Sequence, residues 1–252
     1  MKSFYIFLTL ILMTTVVYAT DVKIEVLQKL LAELHDVSYE KYIENKPFKL
    51  NFRFVNPGNV PYKVRARLDI FKDSNHVFTG WSEEIPFNLG DDKYIQIYWY
   101  PENTSGKFKG ILRLYYATEM MDDGSIEFEI KNDKLPDETI QLLDLETYED
   151  EMVLTLKSDE NVENVVIIPK NYPLGWIVSQ NNIEKLEKDK ETKVRISYDP
   201  SIWEPKNKIT FQVATEDGKY FGQSSFVMDK KNAIKTFIHY SLEQIKNFFE
   251  NL

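Results

Sequence analysis

The 252-residue sequence contains no cysteine. Without thiols there is no disulfide, no thiolate metal site and no thiol nucleophile, so stability has to come from packing and surface charge. Histidine is nearly as scarce. His35, His76 and His239 are the only three, and none has a second histidine at metal-ligand spacing. The 9 glycines fall mostly at turns and form no phosphate-cradling loop, and neither a Gly-x-Ser-x-Gly elbow nor a His-Glu-x-x-His helix occurs. A formal net charge of −9 supplies no basic surface for phosphate neutralisation, which disfavours nucleic acid as a partner. The acidic groups Asp91-Asp92, Asp122-Asp123 and Glu149-Asp150-Glu151 do not repeat with calcium-loop spacing and read as solvated turns. The expectation is therefore a protein that is not an enzyme, with no catalytic, cofactor or metal residue.

What is present is material for packed cores: 43% hydrophobic residues, with 15 Tyr and 16 Phe. Residues 1–19, MKSFYIFLTLILMTTVVYA, combine Lys2, an apolar run from Phe4 to Val17 and small residues before a cleavage point after Ala19. This is the pattern of a secretory signal peptide, with an uncleaved anchor as the alternative. Secretion or display at the cell surface follows as the expectation.

From residue 47 onward, period-two alternation dominates, as it does in strands with one buried face. PFKLNFRFV (47–55) sets Phe48, Leu50, Phe52 and Phe54 against Lys49, Asn51 and Arg53, and the turn chemistry of NPGNVP (56–61) ends it. Further strands are predicted at 62–71, 76–81, 84–88, 93–100, 108–118 and 125–131, the last two joined by a hairpin turn at Asp122-Asp123-Gly124. A charged linker, 132–138, leads to strands at 139–146, 151–157, 162–168, 175–179, 192–198, 208–215 and 220–228, with a turn at Asp217-Gly218. The two halves also resemble each other. GDDKYIQIYWYP after Leu89 parallels EKDKETKVRISYDP after Leu186, and each is followed by a strand ending in Ala-Thr.

The fold class expected is all-β: two tandem immunoglobulin-like β-sandwiches, residues 47–131 and 139–229, with an amphipathic helix at residues 230–252. Residues 20–46 are ambiguous. Val22, Ile24 and Val26 alternate as in a strand, while Leu27, Leu30, Leu31 and Leu34 recur at helical spacing, which suggests a strand leading into a helical or irregular connector. In the terminal segment Ile234, Phe237, Ile238, Leu242, Ile245, Phe248 and Phe249 share one broad stripe. That stripe needs a cover: a neighbouring sandwich, another envelope protein, a second copy of the chain or, weakly, a membrane surface.

Candidate contact residues include two of the four tryptophans. Trp99 and Trp176 read as core, whereas Trp81 and Trp203 stand beside turn residues and are the better candidates for exposure to a partner or a glycan. Asn103, in the sequon Asn103-Thr104-Ser105, is a candidate glycosylation site.

The string Phe54-Val55-Asn56-Pro57-Gly58-Asn59-Val60-Pro61 resembles the turn of the cell-adhesion-related Ig-like domains called CARDB. Pro173-Leu174-Gly175-Trp176-Ile177-Val178, with Ile183, Leu186 and KVRISYDP, is similar to the Ig-like domains attached to alpha-galactosidases and carbohydrate-binding modules. Together these likenesses cover about residues 47–228 and imply non-enzymatic modules of secreted or surface proteins: spacers, adhesion units or enzyme accessories. The leading expectation is an adhesion, scaffold or protein-interaction module of the cell envelope. A carbohydrate-binding or enzyme-accessory module and, more weakly, a two-domain envelope chaperone are the alternatives.

Overall fold

The structure, a computed structural model, describes residues 27–102, 104–131, 135–200 and 206–229. The predicted leader, the terminal stripe from Ile234 to Phe249, Trp203 and Asn103 lie outside the described residues. The described chain is all-β, with several antiparallel sheets arranged as in a β-sandwich.

Strands β1 (Glu33–Tyr39), β2 (Phe48–Val55) and β6 (Asp92–Trp99) form one sheet in the order β1-β2-β6. It faces a second sheet, β4-β3-β7-β8, built from β3 (Tyr62–Lys72), β4 (Asn75–Trp81), β7 (Gly106–Tyr116) and β8 (Glu119–Ile130), with β5 (Ile85–Phe87) paired to β3. The alternation that ends β2 in the core is complete: Phe48, Leu50, Phe52 and Phe54 are all buried. Each contributes about 1.5–3 kcal/mol. Phe48, Trp99, Phe108 and Phe128 close one end of this core, with the Phe48 and Phe128 rings 4.6 Å apart and Trp99 and Phe108 5.1 Å apart. Trp99 and Trp176 are core residues, as their positions predict.

The second half repeats the plan. β9 (Ile140–Thr147), β10 (Glu151–Ser158), β12 (Ile177–Val178) and β14 (Thr192–Asp199) form the sheet β12-β14-β10-β9. Opposite it stands β13-β11-β15-β16, from β11 (Val162–Lys170), β13 (Asn181–Leu186), β15 (Lys206–Thr215) and β16 (Phe221–Asp229). A separate core fills this half, with Trp176 against Tyr198 at 5.2 Å. In each half the first strand rests on the last at a glycine. A Cβ on Gly124 would lie 2.3 Å from the Leu34 Cδ2, and one on Gly222 would lie 2.0 Å from the Ile140 carbonyl oxygen.

The Asn56 turn is a polar staple. Its buried side-chain amide donates to the carbonyls of Val60, Phe87 and Asn88 at 3.3, 3.1 and 3.0 Å and accepts from the Gly58 N–H at 2.9 Å. Every polar atom of that amide is thus engaged, and the loop is tied to the neighbouring loop at 88–91.

Three local expectations are corrected. Residues 33–39, expected within a helical or irregular connector, form a strand paired with β2. A register shift between Leu34 and Asp36 lets Leu34 and Val37 both reach the core, and that bulge places two apolar residues three apart as a helix would. The β7–β8 turn falls at Ala117, whose φ is 49°, and not at Asp122-Asp123-Gly124, which pair with Leu114, Arg113 and Leu112 inside the ladder. β13 is a strand no alternation announced, because among its residues Leu186 alone is fully buried and Ile183 is half-buried.

The two glycine crossings differ in what can yield. Gly222→Ala drives a Cβ into backbone and is expected to destabilise the fold by about 2–3 kcal/mol. Gly124→Ala meets only the end of a leucine side chain and is expected to cost about 1 kcal/mol or less, the two read from urea unfolding midpoints at constant slope.

Candidate functional site at the junction of the two cores

β11 reads VENVVIIPK, and Val165 through Pro169 are all buried. Val165 and Ile167 belong to the core of their own half, while Val166 and Ile168 join the core of the first half, together with Ala214 and Phe221. The Tyr100 and Phe221 rings meet at 5.0 Å across this junction. An apolar run without alternation is what burial on both faces dictates.

Polar groups fix the register of the junction. The Gln180 side chain accepts from the Tyr98 N–H at 2.7 Å and donates to the Tyr98 carbonyl at 2.6 Å, and its backbone N–H donates to the Trp81 carbonyl at 2.8 Å. One residue of the second half thus satisfies the edge of β6 and the end of β4, which are outer strands of their two sheets. Gly80 makes room for it, since a Cβ there would sit 2.8 Å from the Gln180 Nε2. The Tyr172 hydroxyl donates to the Thr79 carbonyl at 3.0 Å, and the Tyr98 hydroxyl donates to Glu216.

Beside these contacts a cleft of about 580 Å³ opens between the halves, lined among others by His76, Thr79, Glu102, Thr104, Lys170 and Tyr172. Glu102 accepts from Lys170 and, at 2.9 Å, from the Gln212 amide, and Lys170 also donates to Gln223 at 3.1 Å. Burial pulls the Lys170 ammonium below its ordinary range, and Glu102 offsets part of that effect.

Asp69, on β3, organises the neighbouring face. Its buried carboxylate accepts from Arg113 at 2.6 Å, from Arg67 at 2.9 Å and from the Thr79 hydroxyl at 2.6 Å. The Thr79 hydroxyl spends its one proton on Asp69, so the His76 Nε2, 2.8 Å away, must donate to the Thr79 oxygen. That order places threonine between acid and histidine and leaves its oxygen buried, an arrangement that orients β3 against β4 and does not aim a nucleophile at solvent. Among the described residues no group of three or more His, Asp or Glu could hold a metal ion.

Trp81, one of the two tryptophans that by sequence are the better candidates for exposure, is 5% exposed. Arg67 lies over its ring at 5.4 Å, Tyr115 approaches to 5.3 Å, and the segment at Ser179 bridges its backbone. Its place beside turn residues suggested a surface, but Arg67 and Tyr115 of the same sheet cover the ring, and Ser179 and Gln180 of the second half cover its backbone. Sequence reasoning missed Gln180, Tyr98, Glu102 and Lys170. The available signal was the break in alternation at Tyr98-Trp99-Tyr100 and at Val165–Ile168, where neighbouring residues are buried on opposite faces.

Gln180→Ala removes both partners of the Tyr98 backbone and is expected to cost about 2–6 kcal/mol, at about 1–3 for each buried group left unpaired, measured by urea unfolding. Burial also raises the phenols of Tyr98, Tyr172 and Tyr198, and that of Tyr62 to about 12. Each holds its proton more tightly in the folded chain than in the unfolded one. Their stabilisation is therefore whole below the ordinary tyrosine value of about 10 and is lost as the pH rises above it. Tyrosinate absorbance and circular dichroism recorded together are expected to change in one step.

No family model matches the chain, and no curated protein matches it. Among solved structures it is similar to red sea bream transglutaminase (10% identity, TM-score 0.26), covering 78% of this chain and 31% of that one. It is also similar to Escherichia coli alpha-2-macroglobulin activated by porcine elastase (9%, TM-score 0.27), covering 81% of this chain and 22% of that one. A third likeness is to the chicken interferon gamma receptor alpha chain (10%, TM-score 0.25), covering 80% and 98%. The chain thus spans less than a third of the first two, and likenesses at these TM-scores carry no argument about function.

Proposed function

We propose that the chain is a non-catalytic interaction module of the cell envelope, in which two immunoglobulin-like sandwiches in tandem act as one rigid unit. The observation that carries this reading is the junction: a β11 buried on both faces and a Gln180 clamp, which together hold two cores at a fixed angle. Support for two copies of one domain comes from the strand orders. β1-β2-β6 corresponds to β9-β10-β14, β3-β7-β8 corresponds to β11-β15-β16, and β3, β6, β7 and β11, β14, β15 each begin one hundred residues apart. Placement in the envelope rests on the leader pattern at residues 1–19.

The sugar-binding alternative calls for aromatic rings gathered on an open face, and Trp81, Trp99 and Trp176 are all buried. The chaperone alternative calls for a free cation between the domains, and Lys170 is already held by Glu102.

Photo-crosslinking groups placed on exposed loops, in the cells that make the protein, are expected to capture a defined envelope protein. A saturable change in tryptophan fluorescence on titration with a polysaccharide would overturn the reading in favour of a carbohydrate accessory.

A further inference from the structure

β16 is the outer strand of its sheet, and its pairing to β15 runs without a register shift from Phe221 to Asp229. The Phe221 carbonyl accepts from the Thr139 N–H at 2.7 Å and the Phe221 N–H donates to the Thr139 Oγ1 at 3.1 Å, so the backbone of Phe221 points away from β15. Along a regular strand the direction repeats every second residue. The N–H and C=O groups of Gln223, Ser225 and Val227 therefore face the same open side, and no described residue bonds them.

Natural sheet edges are guarded by charge, proline, bulges or shortness. β8, which holds the corresponding place in the first half, carries Glu119, Asp122, Asp123, Glu127 and Glu129. Two or more charged side chains also stand on β1, β9 and β13, and β4 is covered by Gln180 and Tyr172. β16 is guarded at its ends, by Thr139 against Phe221 and by the charge of Asp229; between them residues 222–228, GQSSFVM, contain no charge and no proline, Ser225 is exposed, and Val227 is 65% exposed. In a chain of net charge −9, two copies repel over most of their surface, and this neutral strand is where they can approach.

We propose that β16 is a self-association edge, at which a second copy of this chain adds its own β16 antiparallel and joins two four-stranded sheets into one. The two-fold register that uses all three free residues centres on Ser225. It opposes Ser225 to Ser225 of the other copy and Gln223 to Val227, each opposed pair exchanging two hydrogen bonds. A small neutral residue at the centre lets the strands meet without a clash or like charges. The proposal goes beyond the interaction-module reading and stands on the strand itself, so capture of a different envelope protein neither supports nor removes it.

The test is light scattering and sedimentation of the chain with residues 20–252 intact, from low to high micromolar, with circular dichroism to confirm folding. The expected result is a monomer–dimer equilibrium. Ser225→Lys and Ser225→Glu, each alone, place like charges directly opposite and are expected to raise the dissociation constant about tenfold or more. An equimolar mixture of the two is expected to restore a dimer. Val227→Pro removes an outward N–H that β15 does not use, and it decides the matter if the Ser225 variants lose the Thr210 hydroxyl contact at 2.8 Å and unfold. A wild-type monomer throughout would overturn the proposal, as would a dimer indifferent to the Ser225 and Val227 variants. So would a monomer in which Ser225→Lys exposes residues 230–252 to protease, since that result assigns the edge to the chain's own terminal segment.

Discussion

Val166 and Ile168 face away from the core to which their own strand belongs, and burying two branched side chains on that second face requires a second layer, which the core of the first half supplies. The cost of leaving them in water, about 1.5–3 kcal/mol each, is what turns a chain of two cores into one body. Once the outer faces of β11 and β15 are covered, the backbone edges next to them lose access to water, and each must find a partner within the protein. Gln180 is the partner for β6 and β4. The polar clamp thus follows from the apolar contact: dispersion and desolvation bring the halves together, and hydrogen-bond satisfaction selects one relative position among the many that would bury similar area.

The charged cleft beside the clamp obeys the same logic. Lys170 and Glu102 come from opposite halves and are drawn out of bulk water by the junction. Either alone would oppose the contact, and together they are tolerated while gaining neutral partners in Gln212 and Gln223. Asp69 is a further case, a carboxylate with two guanidinium groups and a hydroxyl around it, which ties three strands of one sheet. These clusters hold strands in place.

The strands were readable wherever one face is wet. β2 and β14 alternate without a fault, and the period predicts both their existence and their buried residues. Reading failed where a second layer changes the rule. The Trp81 ring is covered by Arg67 and Tyr115 from neighbouring strands and its backbone by Ser179 and Gln180, far along the chain, information that no local window contains. The leucines at helical spacing, Leu27, Leu30, Leu31 and Leu34, lie before β1 except for the last, so their period did not report on the strand that follows; Gly124, a turn residue by composition, sits in the ladder where Leu34 lies across it. β13 escaped because it sits at the edge of its sheet, where few of its positions are buried. Of the junction, the unbroken apolar runs were visible, but their partners were not.

The phenol rings of Tyr98 and Tyr100 have a consequence in time as well as in space. Tyr98 lies on β6 and Tyr100 directly after it, but the residue that seals Tyr100, Phe221, comes roughly ninety residues after β8, the last strand of the first half, is complete. At about 5–20 residues per second during synthesis, the interval is roughly 5–18 s. For that period a folded half would present an aromatic face with nothing to lie against it, and whatever meets the growing chain meets that face first.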